Sequence, residues 1–256
     1  MRWNELGSRL LDLLNVERPL WLLALVAILM LALYALGLPL SEVHAIALKY
    51  PNVFSAAFAI VFALSIYGKS MGEGSAHRPL RIYLVSMLIS YVTLAAIAAI
   101  PGIYTAMAAP SLVSQFISEV ETFRSTYTTL PSMSFAIFEH NLEIDLLSYI
   151  PVAGAALFGF SVMDTSSLVW ATGAYSMLAG NRLWYAYVLS VLMAPDTFTE
   201  FSSYAIAVAG GYVLYRALTG GDRRGILISI ALLASSIALL YASALLEASL
   251  ILYVGA

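Results

Sequence analysis

The stretch GILISIALLASSIALLYASALLEASLILYV, Gly225 to Val254, limits what this chain can become more than any other feature. It runs for 30 residues and carries one charge, Glu247. A bilayer core about 30 Å thick is crossed by roughly 20 apolar helical residues. Such a run belongs either to the interior of a large soluble protein or to a membrane span, and composition decides between them. The chain is 61% hydrophobic and 11% charged, with mean hydropathy +0.88. Soluble domains average roughly 45–50% apolar and about 25% charged. So few charges cannot cover a water-facing surface. The expectation is an all-α, polytopic helical membrane protein, a single transmembrane domain over residues 1–256 with about six or seven apolar segments.

Three earlier runs fit the same length rule: Pro19 to Leu38, Pro51 to Gly68, and Leu80 to Ala109, the last with Pro101 near its far end. Before them, Trp3, Leu6, Leu10, Leu13 and Leu14 share one helical face beside Arg2, Arg9 and Arg18. Residues 1–18 are therefore expected to lie as a helix on the membrane surface rather than to form a cleavable signal. Loop charges set the orientation. Arg2, Arg9 and Arg18 precede the first run, Lys69, Arg78 and Arg81 follow the second, and Arg216, Arg223 and Arg224 precede the last. The opposite loops offer only Lys49 and Arg124. The N-terminus is expected in the cytoplasm and the C-terminus outside, so residues 132–218 cross an odd net number of times. Residues 110–131 become an external amphipathic segment, with Leu112, Val113, Phe116, Ile117, Val120 and Phe123 at helical spacing. That segment either rests on the bundle or bilayer, or docks an external protein.

Several classes drop out. No cysteine is present, which excludes disulfides, thiolate metal sites and cysteine nucleophiles. Net charge is −3 and the twelve basic residues are scattered, so no nucleic-acid partner is expected. A serine protease needs a base within reach of its nucleophile. GFSV, Gly159 to Val162, offers a serine, but the three histidines, His44, His77 and His140, all fall outside the apolar runs. No H-E-x-x-H occurs, and YGKS at Tyr67 to Ser70 lacks the earlier glycine of a phosphate loop. The chain is read as a non-enzyme without a cofactor.

One apolar stretch is interrupted where interruption is expensive: LMAPDTFTEFSSYAIAVAGG, Leu192 to Gly211. Pro195 removes a backbone donor and clashes with the preceding turn. Residues 182–216 are expected to form a hairpin with Ala194–Thr197 at its tip, Asp196 or Thr197 capping the second helix, and Glu200 in or near its first turn. An acid at membrane depth is a functional candidate by default. A second polar group is EHNLEID: Glu139 and Glu143 share a face, His140 sits beside it, and Asp145 points away from Glu139. Glu139, His140 and Glu143 could begin a metal site, but no further ligand is in view, so none is expected. Asp164 is read as a bend or cap, and Glu247 as a mainly structural acid near the outer end of the last run.

The order of features over residues 132–218 resembles the stage II sporulation protein M-like family of integral membrane proteins. That family has an Asn-rich opening, an Asn-Gly pair, and a Pro-His-Gly-x-x-Glu motif leading into a small-residue helix. Here Asn141 falls at the opening and Gly173 at the glycine of the pair. Pro195 and Glu200 match the ends of the motif, with Gly210 and Gly211 in the helix after it. Thr172, Asp196 and Thr197 stand where the family has Asn, His and Gly. The resemblance implies a non-enzymatic membrane scaffold or complex subunit, working through membrane or external protein partners; a homo-oligomer is the other assembly left open. The residues themselves leave an alternative open: a small transporter or channel with Glu200, joined by Asn141 and Glu143, lining a polar route.

Overall fold

A computed structural model describes residues 53–67, 78–151 and 153–254. The expectations for residues 1–18, for the run Pro19–Leu38, and for Lys69, His44 and His77 lie outside the described residues. Everything described is helix or short turn. The elements are α1 (Val53–Tyr67), α2 (Arg78–Val92), α3 (Ala99–Ala108), α4 (Pro110–Thr126), α5 (Leu130–Ser148), α6 (Gly154–Leu178), α7 (Trp184–Met193), α8 (Pro195–Gly220) and α9 (Arg223–Ser249).

Two helices organise the rest. One is α6, which packs against α1, α3, α5 and α7; the other is α8, which runs along α9 and also touches α2 and α5. A ladder of rings ties the two together: Phe58 to Phe62 at 5.9 Å, Phe62 edge-on to Phe158 at 5.5 Å, and Phe158 to Tyr204 at 5.6 Å. Gly159 makes this approach feasible, because a Cβ there would lie 2.8 Å from the Phe62 side chain.

The run expected as one span over Leu80–Ala109 is divided. After Val92 the helix widens into a π turn, Thr93–Ile97, and α3 starts at Ala99. The Ala98 N–H reaches back five residues to Thr93. The indole N–H of Trp170 on α6 donates to the Leu94 carbonyl at 2.7 Å, supplying a partner where the regular ladder is disturbed. Pro101, in the first turn of α3, brings no donor of its own. Gly102 lies so close to Ser167 and Trp170 that any side chain would collide. Asp164, expected at a bend or cap, sits inside α6, which runs through it unbroken.

Among the described residues, two helices are long and apolar enough to cross a membrane: Arg78–Ile97 and Arg223–Tyr253. Ser55–Ile66, Ala99–Ala108 and Trp184–Met193 are apolar but shorter. The more apolar of the two long helices is also the less buried, with 22% of its most apolar window inside the fold against 44%. Leu227 is 68% exposed and Ile230 53%, while Ser229, Ser236 and Ser243 of the same helix face inward. The middle of α8, from Phe201 to Tyr212, is buried on nearly every side although it contains Ser202, Ser203, Tyr204 and Tyr212. Along α9, large apolar side chains such as Leu227 and Ile230 face out and the hydroxyls of Ser229, Ser236 and Ser243 face in.

Candidate functional site

The break forms at Ala194, whose backbone is extended (φ −66°, ψ 131°), as the residue before a proline prefers. Pro195 opens α8, where its missing donor costs nothing. The capping expectation is corrected. No side chain caps this helix, and Thr197 instead donates to the Val191 carbonyl at 2.8 Å, serving the end of α7. The hairpin expectation is corrected in part: α7 leans on α6 rather than lying along α8. Its contact point is Val188, which lies against Gly173; a Cβ on that glycine would be 3.0 Å from a Val188 methyl.

Three helices meet around the first half of α8. From α8 itself come Asp196 in the first turn and Glu200, one turn further on. The Tyr204 hydroxyl donates to Glu200 Oε1 at 3.0 Å, and its ring is held by Phe158. From α9 comes Glu247, near enough to interact electrostatically with both Glu200 and Asp196. From α5 comes Asp145, 0% exposed, which accepts from Ser236 of α9 at 2.8 Å through Oδ2. Its other oxygen, Oδ1, has no hydrogen-bond partner, and neither has the buried Oδ1 of Asp196. The carboxylates of Glu200, Glu247 and Asp145 all bear electrostatically on Tyr204, which places that phenol among them. Arg124 of α4 is the cation that bears on Glu247. No three acids or histidines among the described residues gather closely enough to hold a metal ion.

Serines of α9 fasten this region at three heights. Ser243 donates to the Asp196 carbonyl at 3.0 Å and accepts from Thr199 at 2.9 Å. Ser236 holds Asp145. Ser229 donates to the Gly210 carbonyl at 2.8 Å and pairs with the Tyr149 hydroxyl. Gly210 and Gly211 are packing positions: a side chain on Gly211 would collide with the Tyr149 carbonyl, and one on Gly210 would lie 3.0 Å from the Tyr149 ring. At the far end of the buried stretch, Arg78 of α2 donates to the Tyr212 hydroxyl at 3.3 Å.

The residues expected to act together therefore separate. Asn141 is buried on α5, four residues before Asp145 on the same stripe. Glu139, His140 and Glu143 lie on the exposed side of that helix, so the pairing of Glu143 with Glu200 along one route is corrected. Gly173 lies at the α6–α7 contact and Pro195 is exposed at the break. Asp145, Tyr204 and Glu247 were not singled out as site residues. The first two follow from spacing: Asp145 stands four after Asn141, and Tyr204 four after Glu200. Comparison with protein-family models, with curated proteins and with solved structures finds no match for this chain.

Proposed function

We propose that this chain is a multi-pass integral membrane protein whose interior forms a polar passage for a small cation between α5, α8 and α9. The observation that carries the reading is the inverted polarity of α9. Leaving Leu227, Ile228, Ile230 and Leu246, 41–68% exposed, in water would forfeit about half of the roughly 1.5–3 kcal/mol that fully burying each would gain. Lipid removes that cost. Lipid also gives the inward serines and acids their reason, since polar side chains in a bilayer face one another or a passage. The acids outnumber the basic groups around Tyr204, which favours a cation over an anion. In liposomes carrying the purified chain, an imposed cation gradient should relax faster than in empty liposomes, and Glu200→Gln should return the rate to that of empty liposomes. Equal rates with and without the protein would count against a passage.

A second reading, the membrane scaffold or complex subunit that the sporulation M-like resemblance implies, is favoured by α4. Only Val113 of that helix is buried, and Gln115, Glu119 and Glu121 face outward, as a docking face for a protein partner would. A stoichiometric partner in a crosslinked pull-down from native membranes, lost when that face is altered, would favour it, above all if the liposomes show no flux.

A further inference from the structure

We propose that the cation is the proton, and that Glu200, Tyr204 and Asp145 relay it between the outer end of α8 and the middle of the bundle. The inference rests on the membrane passage above and adds the identity of the ion and its carriers. On α8, Asp196, Glu200, Tyr204, Val208 and Tyr212 recur every four residues, so they form a slanting stripe that winds about 160° round the helix, with Tyr204, Val208 and Tyr212 buried and Asp196 and Glu200 half-buried. From Asp196 to Tyr212 that stripe covers about 24 Å at the helical rise, most of a bilayer core. It is polar at both ends and interrupted only by Val208, which is wholly buried.

Acids alone would not make a site. The second observation comes from another helix: Asp145, 0% exposed, keeps Oδ1 without a partner while Ser236 holds Oδ2. Tyr204, 2% exposed, donates its hydroxyl to Glu200 and feels the charge of Asp145 from the neighbouring helix α5. A phenol can give and accept a proton at one oxygen, so the transfer balances without any other reagent. The Tyr204 proton passes to Glu200 Oε1 as the Asp145 carboxyl proton, on Oδ1, passes to the Tyr204 oxygen, directly or through one water. One O–H bond breaks at Asp145, one forms at Glu200, and Tyr204 ends as it began.

The charged and titratable groups that face the relay fit this direction of travel. They are Asp196 on α8, Glu247 on α9, Arg124 on α4, Tyr91 on α2, which interacts with Asp196, and Tyr83 on the same helix, which interacts with Tyr91 and whose hydroxyl pairs with Ser202. Arg78 stands at the Tyr212 end. The gathered acids mark the outer mouth, and no lysine or histidine among the described residues lies along the stripe. The lack of a three-ligand cluster disfavours a divalent metal, whereas a proton needs one carboxyl at a time.

The test uses the full chain in liposomes loaded with a pH-reporting dye, with a potassium diffusion potential as the drive. Wild type should acidify or alkalise the lumen according to the sign of the potential. Tyr204→Phe should slow this by roughly 10²-fold, the scale on which a positioned proton donor contributes. Asp145→Asn should abolish it and Asp145→Glu should restore part of it, a split that a merely structural role would not give. Leu146→Ala, on the outward face of the same helix, should match wild type, and gel filtration of each variant reports folding. Proton flux indifferent to Tyr204→Phe and Asp145→Asn would overturn the relay and leave a passage elsewhere. Uptake of sodium or potassium without protons would overturn the proton while the cation reading stands. No flux of any cation would remove both.

Discussion

Gly211 shows how little room the interior leaves. Its Cα lies against the Tyr149 carbonyl at the end of α5, where a Cβ has no place. Gly220, at the end of α8, has open space around it. Gly211→Val should destabilise the detergent-solubilised protein by about 1–3 kcal/mol, the usual cost of overpacking, whereas Gly220→Ala should stay within roughly 1 kcal/mol of wild type. Thermal unfolding of the two variants side by side decides this, and an equal melting temperature would contradict the close approach. The small residues at 210 and 211 could be read from the chain as places of helix contact, because lipid-facing helices rarely need paired glycines. That Tyr149 is the group they admit could not be read, since it comes from another helix 61 residues away.

At the level of elements, spacing held more than single residues did. Ser229, Ser236 and Ser243 recur every seven residues through the more apolar of the two long helices, and all three are inward hydrogen-bonding groups. Ile137, Asn141, Asp145 and Tyr149 repeat every four along α5. Weighing each acid by itself hides these stripes, and so favours Glu143, on the exposed side, over the buried Asp145. The break at Pro195 was legible because proline acts locally. The π turn at Thr93–Ile97 was not, because its support is an indole on α6. Trp170→Phe removes that donor and should cost about 1–2 kcal/mol through an unserved carbonyl. Unchanged stability would mean that the Leu94 carbonyl finds another partner.

For the whole molecule, the decisive question is whether α9 passes from one side of a membrane to the other. Its 27 residues extend about 40 Å. The last turn of α4 lies near the end of α9, where Phe123 and Tyr127 pack on the cluster of Met133, Ile137, Ala244 and Ala248, while Gly220 lies near its beginning. With no native cysteine to interfere, single cysteines at Ser125 and Gly220 can be probed in intact cells with a membrane-impermeant maleimide. The loop charges lead us to expect labelling at 125 from outside and at 220 only after permeabilisation. Reaction of both from one side would refute the crossing.

The turn between α8 and α9 is short: Gly221 takes the left-handed conformation (φ 66°) that ends one helix, and Asp222 caps the next by accepting from the Arg224 N–H at 3.0 Å. This ties the two helices together during biosynthesis. In the proposed membrane protein, α8, whose first half carries Asp196, Glu200, Ser202 and Ser203, has by itself little reason to leave the insertion machinery for lipid. Its Thr199 hydroxyl and the Asp196 and Gly210 carbonyls find their partners on α9, which the ribosome makes afterwards. The pair is therefore expected to enter the bilayer as one unit, with the earlier helix waiting for the later. A chain stopped at Asp222 should leave α8 stranded in water, so that a cysteine at Ser203, silent in the complete protein, becomes reactive.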